Sequence, residues 1–237
     1  MTRGYFVTGT DTGIGKTTFA VAMIHALRQR GLKVAAMKPV AAGGDLIEGK
    51  CVNEDVIALS QAADIQADLS IINPYAFAPP IAPHIAAAQA GKTIDLPHIV
   101  SVYTALAAQA DVVVVEGAGG LCVPLNAQHD IADLVEALRL PIILVVGMRL
   151  GCLNHALLTA AAIAQRGLKW TGWVANILDP EMPALEENIA SLESRLPSPN
   201  MGRLCKIKGA NPSDHSDDFV MQWSSAFGNL HDTKLIG

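Results

Sequence analysis

Short apolar runs, each closing on polar or glycine residues, alternate along this chain with segments of helical spacing. That alternation limits the fold more than any other feature. The strand-like runs are residues 5–8, 34–38, 112–116, 142–146 and 173–176. Helical spacing falls on residues 16–30, 54–63, 81–90, 97–109, 131–138, 154–166 and 184–195. Strands alternating with helices predict an α/β fold: a three-layer sandwich whose mostly parallel central sheet is covered on both faces and joined by right-handed crossovers. Such a sheet binds ligands beyond the carboxyl ends of its strands, so candidate functional residues are sought there. Residues 39–111 are too many for one crossover helix and are expected to hold extra helices. The length of 237 residues suits one domain over 1–237, with a connector at Pro197 and Pro199 before a weakly patterned tail.

Composition narrows the function. Half the residues are apolar and only 16% are charged, with 17 Lys and Arg against 22 Asp and Glu, a net charge of −5. A disordered chain or a basic nucleic-acid-coating protein is excluded. Aromatics are only 5%, so the core is Ala, Val, Ile and Leu, which suits helices packed closely on a buried parallel sheet. The longest apolar run, 140–148, contains Pro141 and falls short of the roughly 20 residues of a membrane helix. The N-terminus enters a strand at once, leaving no room for a secretory signal. Cys51, Cys122, Cys152 and Cys205 form no Cys-x-x-Cys pair. A reducing cytoplasm, free thiols and no zinc site are expected.

After the first strand comes Gly9-Thr10-Asp11-Thr12-Gly13-Ile14-Gly15-Lys16-Thr17-Thr18, then an apolar helical pattern. A strand, a glycine-containing loop and Gly-Lys-Thr at a helix start make an anion cradle, in which backbone N–H groups and the positive helix end face a phosphate. The strict P-loop pattern is missed by one place, since Thr10 stands five before Gly15 and Gly9 lies one residue earlier. A generic strand-to-helix turn is the plain alternative. Lys16 would neutralise β- and γ-phosphates, and Thr17 would offer its hydroxyl to Mg2+. A metal needs further oxygens, and Glu116, closing the apolar run 112–115 before Gly117-Ala118-Gly119-Gly120, is the best candidate. Asp55, in Asn53-Glu54-Asp55, also reads as ordinary helix capping. Lys38 closes the second strand before Pro39 and would pair with Lys16 around a transferring phosphoryl group. Gly151 and Asn154 read equally as a loop and cap or as N–H groups presented to a carboxylate, and Asn176 follows the fifth strand where a base edge is read. The proline-rich segment 73–84 is a stiff loop fixing helix entry. No Gly-x-Ser-x-Gly and no histidine after a strand supports a serine hydrolase.

Seven blocks taken together resemble the dethiobiotin synthetase family, in that family's order, over roughly residues 4–205. They are 5–12 with Gly15-Lys16-Thr17, Lys38-Pro39-Val40, Asn73-Pro74-Tyr75, Pro83-His84-Ile85, Val115 to Gly120, Gly151-Cys152-Leu153-Asn154-His155, and Gly172 to Asn176. The resemblance implies a P-loop homodimer of biotin synthesis that uses ATP and Mg2+ to join CO2 to 7,8-diaminononanoate. It implies a carbamate, its phosphorylation, and ring closure to dethiobiotin with ADP and phosphate released. By resemblance the nucleotide is held by Gly13, Ile14, Gly15, Lys16, Thr17 and Thr18, with Gly117, Ala118 and Gly119. Asn176 and a loop of Cys205, Lys206 and Ile207 lie on the adenine side. Thr17, Asp55 and Glu116 would hold Mg2+. Thr12, Lys16 and Lys38 carry catalysis; Thr12, Lys38, Ala42, Pro79 and Gly119 meet the substrate. Gly151, Cys152, Leu153 and Asn154 of the second subunit take its carboxylate. Gly13 stands where a common family version has Glu, Ala42 where it has Ser, and Cys205-Lys206-Ile207 where Pro and apolar residues are usual. Residues 211–237 are unmatched.

Two rivals share the scaffold. A glutamine-fed amidotransferase synthetase needs an amidase domain and a Cys-His pair, and neither is evident. A partitioning ATPase carries a signature lysine where this chain has Asp11, and some reach membranes through a basic amphipathic C-terminal helix. Here Phe219, Trp223, Phe227 and Leu230 have helical spacing but are flanked by Asp217 and Asp218, so core or dimer packing is expected rather than membrane contact.

Overall fold

The computed structural model describes residues 3–206 and 219–225. β1 (Arg3–Gly9) runs through the glycine loop into α1 (Lys16–Arg28) and β2 (Val34–Met37). The expected excursion follows: β3 (Val40–Ala42), a hairpin of β4 (Asp45–Ile47) and β5 (Lys50–Val52), α2 (Glu54–Ala62), α3 (Leu69–Ile72), β6 (Tyr75–Phe77), α4 (Pro83–Gln89) and α5 (Leu96–Ala107). The chain then alternates regularly through β7 (Val112–Gly120), α6 (Ile131–Leu138), β8 (Ile142–Met148), α7 (Cys152–Gln165), β9 (Trp170–Ile177), α8 (Leu185–Arg195), β10 (Asn200–Lys206) and β11 (Phe219–Trp223).

Among the described residues the main sheet has seven strands in the order β11-β10-β9-β8-β1-β7-β2, parallel except for the terminal β10–β11 pair. Burial alternates by side, as the two-residue period of a strand requires. Phe6, Met37, Val113 and Val115 pack against α5 and α6 through Ile99, Leu106, Leu134 and Val135. Tyr5, Val7, Val112 and Val114 pack on the other face against Phe19, Met23, Ile24 and Leu27 of α1. Both faces of the central strands are therefore dry, which is why these strands read as continuous apolar runs.

The structure corrects the sequence reading in three places. The excursion contains short strands as well as helices, with β3 pairing β6 and β4 pairing β5 outside the main sheet. Phe219 and Trp223 lie in an antiparallel edge strand rather than a helix, with Trp223 opposite Gly202 and its ring centroid 6.0 Å from that of Phe19; Phe227 and Leu230 lie outside the described residues. Cys205 and Lys206, expected in a loop, belong to β10 and lie in its ladder with β11, and Ile207 lies outside the described residues.

Candidate active site at the carboxyl edge of the sheet

Strand register assembles the site. β2 runs parallel to β7 with Met37 opposite Val115, so the next residues, Lys38 and Glu116, come side by side. On the other flank of β7, Glu116 is opposite Val7 of β1, just before the glycine loop. The loop is locked from inside by Ile14, 1% exposed. A Cβ on Gly9 would come within 2.6 Å of Ile14 Cδ1, and one on Gly147 within 2.7 Å of Cγ2, so these two glycines open the slot that Ile14 fills. Gly15 caps α1 with φ 81°, a left-handed conformation that costs other residues about 1 kcal/mol or more. Gly13 also has positive φ, 70°, with open space beyond it, so the loop here presents backbone rather than the carboxylate a Glu would bring.

Four charges meet beneath this loop. Lys38 is buried and donates to Glu116 Oε1 at 2.9 Å and to Asp55 Oδ2. Thr17 Oγ1 donates to the same Glu116 oxygen at 2.9 Å. Lys16, also buried, turns its ammonium to the Asp11 carbonyl at 2.8 Å. Burial alone would lower the Lys38 pKa, but the carboxylates of Glu116 and Asp55 outweigh it and hold the ammonium above the ordinary lysine value. Lys16 goes the other way: burial, with Lys38 as a like-charged neighbour, pulls it below that value against the pull of Glu116. Burial would raise the Asp55 carboxyl, yet Lys38 and the Thr17 hydroxyl hold it low. Glu116 Oε2 is buried with no hydrogen-bond partner among the described residues. Thr17, Asp55 and Glu116 thus form an all-oxygen donor set with an unsatisfied carboxylate oxygen, which fits a hard divalent cation such as Mg2+.

The structure gathers most of the sequence candidates here. Thr12, Gly13, Ile14, Gly15, Lys16, Thr17 and Thr18 form the loop and the first turn of α1. Gly117, Ala118 and Gly119 continue β7 past Glu116, and a Cβ on Gly119 would lie 3.4 Å from Thr12 Oγ1, so the two expected substrate-side residues are neighbours. Asn176, 1% exposed, donates to the Ile14 carbonyl at 2.6 Å and keeps a buried Oδ1 without a partner among the described residues. A cleft of about 810 Å³ opens at Thr17 and Asp55 and runs between α1 and α2 past Thr18 and Ile57 to Leu204, a size that suits a small-molecule ligand.

Other candidates lie in separate groups. Ala42 pairs with Phe77 between β3 and β6, and the neighbouring Gly43 N–H donates to the Pro79 carbonyl at 3.1 Å, so Ala42 and Pro79 share one small structural unit. Gly151 is itself the cap of α7, with φ 96°, and Asn154 lies inside the first turn rather than capping it; Cys152 is buried while Leu153 is half-buried. Asp55 is not a cap either, since Asn53 accepts the Val56 N–H and leaves Asp55 free for Lys38. The sequence reading missed Arg149. It follows β8 directly and forms an ion pair with Asp11, whose other oxygen accepts the Thr12 N–H at 2.7 Å. The only sequence signal was a lone cation at the end of an apolar strand.

Comparison with solved structures finds the same fold in other proteins. A ParA family ATPase from Chlorobium tepidum TLS aligns with a TM-score of 0.55 at 16% identity, covering 88% of this chain and 86% of that one. The septum site-determining protein MinD from Pyrococcus horikoshii OT3, complexed with Mg-ADP, aligns with a TM-score of 0.53 at 18% identity over 86% and 81%. At those identities the likeness is one of fold. A family model described as an AAA domain matches residues 3–213. Curated relatives are far more similar. ATP-dependent dethiobiotin synthetase BioD of Xanthomonas axonopodis pv. citri (strain 306) is 53% identical over 207 residues, 87% of this chain and 92% of that protein. The BioD proteins of Aromatoleum aromaticum (strain DSM 19018 / LMG 30748 / EbN1) and Xylella fastidiosa (strain Temecula1 / ATCC 700964) are 50% and 51% identical, over 89% and 88% of this chain and 94% and 93% of theirs. The chain belongs to the ATP-dependent dethiobiotin synthetase family, and is an ATP-dependent ligase acting on small molecules. No described helix is long and apolar enough to cross a membrane.

Proposed function

We propose that this enzyme serves biotin biosynthesis as a cytoplasmic, single-domain homodimer, closing the ureido ring of dethiobiotin from 7,8-diaminononanoate, CO2 and ATP. The observation that carries the reading is the cluster of buried Lys16, Lys38 and Glu116 with half-exposed Asp55 at one sheet edge beneath a phosphate loop. In the proposed sequence the N7 amine adds to CO2 and loses a proton, giving a carbamate. A carbamate oxygen attacks the γ-phosphorus and ADP leaves. The second amine then attacks the carbonyl carbon of the mixed anhydride and expels phosphate.

Carbamate and γ-phosphate are both anions, so bringing them together needs positive charge in a dry site. Each ammonium has three N–H donors. Lys38 gives two of them to Glu116 and Asp55, leaving one for the carbamate oxygen. Lys16 gives one to the Asp11 carbonyl, leaving two for phosphate oxygens. Thr17, Asp55 and Glu116 would hold Mg2+, which when bound supplies charge stabilisation to the β- and γ-phosphate oxygens. Gly13 to Thr18 would cradle the phosphates with backbone N–H groups, with Gly117 and Ala118 alongside. Thr12 and Gly119 would flank the diamine, with Ala42 and Pro79 on its wall. Asn176 Oδ1, without a hydrogen-bond partner among the described residues, is an acceptor suited to the amino group of adenine.

A homodimer would let the segment Gly151, Cys152, Leu153 and Asn154 take the substrate carboxylate of the neighbouring subunit. Leu150, 98% exposed beside that segment, and Leu158, 62% exposed further along α7, support an interface there. The partitioning-ATPase alternative lacks its lysine, because position 11 is an aspartate already engaged by Arg149. The test is purified protein with MgATP, bicarbonate and 7,8-diaminononanoate: ADP, phosphate and cyclic urea should form in equal amounts. ATP turnover that ignores the diamine and yields no ring would refute the reading.

A further inference from the structure

The segment Asn73-Pro74-Tyr75 lies in the excursion, far in sequence from the phosphate loop, and the chemistry above makes no use of it. Its asparagine is buried, 7% exposed. Asn73 Nδ2 donates to the Lys38 carbonyl at 2.6 Å and to the Tyr75 carbonyl at 3.1 Å. The Lys38 N–H donates to the Ile72 carbonyl at 2.8 Å, and the Tyr75 N–H to the Pro39 carbonyl at 3.1 Å. Lys38 stands one residue past the end of β2, beyond the ladder with β7 that fixes its predecessors. Pro39 confines Lys38 to extended backbone but offers no N–H of its own. The backbone that aims the Lys38 ammonium is therefore held from outside the main sheet, by residues 72–75.

We propose that Asn73 is a positioning residue for the ring-closing reaction, holding the Lys38 main chain so that its ammonium is set at the junction of Glu116, Asp55 and the incoming carbamate. The role rests on the reading of Lys38 given above. Both amide protons of Asn73 are committed to carbonyls, so a carboxylate in its place would turn two attractions into two repulsions with almost no change of shape. Displacing a reacting group by about 1 Å costs on the order of a hundredfold in rate. Among the described residues the Asn73 amide bonds the Lys38 and Tyr75 carbonyls and no group of the phosphate loop, so nucleotide binding should not share that loss.

The test compares Asn73→Asp, Asn73→Ala and Lys38→Gln, each checked for cooperative thermal unfolding. Both Asn73 variants should lose on the order of a hundredfold in kcat for ring formation, while the KM for MgATP stays within about threefold. Combining Asn73→Ala with Lys38→Gln should lower product accumulation no further than Lys38→Gln alone, because the amide acts only through that lysine. If Asn73→Asp fails to fold, Asn73→Ser, which keeps a donor at the site, should fall between wild type and Asn73→Ala in kcat. A lowered Tm with wild-type kcat would make Asn73 purely structural and overturn the proposal. Wild-type ring formation by Lys38→Gln would instead overturn the role of Lys38 itself, and loss in Lys38→Gln beside normal kcat in the Asn73 variants would overturn the positioning role alone.

Discussion

Replacing Glu116 by Gln removes one charge from a buried ion pair while keeping the side chain's shape. Glu116 and Lys38 are 1% and 5% exposed and meet at 2.9 Å. Two unit charges about 4 Å apart attract by ~4 kcal/mol at an effective dielectric of ~20. Part of that survives, because a Gln oxygen still accepts and Asp55, about half-exposed, remains on Lys38. The expected loss is about 2–4 kcal/mol, near the lower end of the range for breaking one side of a buried pair, or a Tm lower by roughly 5–15 °C. The pH dependence follows from the neighbours. The raised Lys38 pKa means that its contribution is complete below the unfolded lysine value and is lost only as pH climbs through the higher folded value. The lowered Asp55 pKa means that its contribution is present above the unfolded aspartate value and is lost only as pH falls through the lower folded one. Between roughly pH 6 and pH 9 the deficit should therefore be flat. Urea unfolding across that range measures it. A loss under about 1 kcal/mol, or one erased by about 1 M salt, would mean a solvated pair and refute the reasoning. Adding Lys38→Met to Glu116→Gln should restore part of the stability, since the stranded ammonium is then gone.

Gly15→Ala should lower stability by about 2–4 kcal/mol and nucleotide affinity by more than about tenfold, since its Cβ would lie 2.2 Å from Asn176 Nδ2 in a strained backbone. Calorimetric titration giving wild-type affinity would contradict the loop geometry. Asp55→Asn should raise the Mg2+ concentration for half-maximal activity by about tenfold or more, and an unchanged Mg2+ titration would confine Asp55 to its contact with Lys38. Lys16 begins below the usual lysine pKa because of burial, and phosphate charge favours its ammonium. ATP binding at alkaline pH should therefore take up protons, read from binding heats in buffers of different ionisation enthalpy. Zero uptake, or proton release, would show that the triphosphate does not reach Lys16.

The phosphate loop and α1 were legible because glycine, lysine and threonine between a strand and a helix specify both a shape and a charge. The bounds of α6 were also legible from helical spacing over 131–138, and the structure adds a reciprocal capping box of Asp130 and Asp133 at its start. Asp55 was ambiguous because Asn53 and Asp55 are both plausible caps, and only the fold shows Asn53 taking the Val56 N–H. The meeting of Lys38 with Glu116 depends on a strand register between residues 78 positions apart, which no local pattern encodes. β11 was misread because Phe219 and Trp223 satisfy a helical spacing as readily as a strand's, and its partner β10 settles the choice. The Arg149–Asp11 pair was hidden for the same reason as Lys38–Glu116: it joins the ends of two neighbouring strands distant in sequence.

The central claim is that the two lysines and their carboxylates bring a carbamate oxygen onto the γ-phosphorus of ATP. Starting the reaction with freshly dissolved [18O]CO2 and following phosphate by mass spectrometry tests that bond directly. If the carbamate oxygen attacks phosphorus and stays there when the ring closes, each phosphate released early in the reaction carries one labelled oxygen. Unlabelled phosphate formed in step with dethiobiotin would contradict the account.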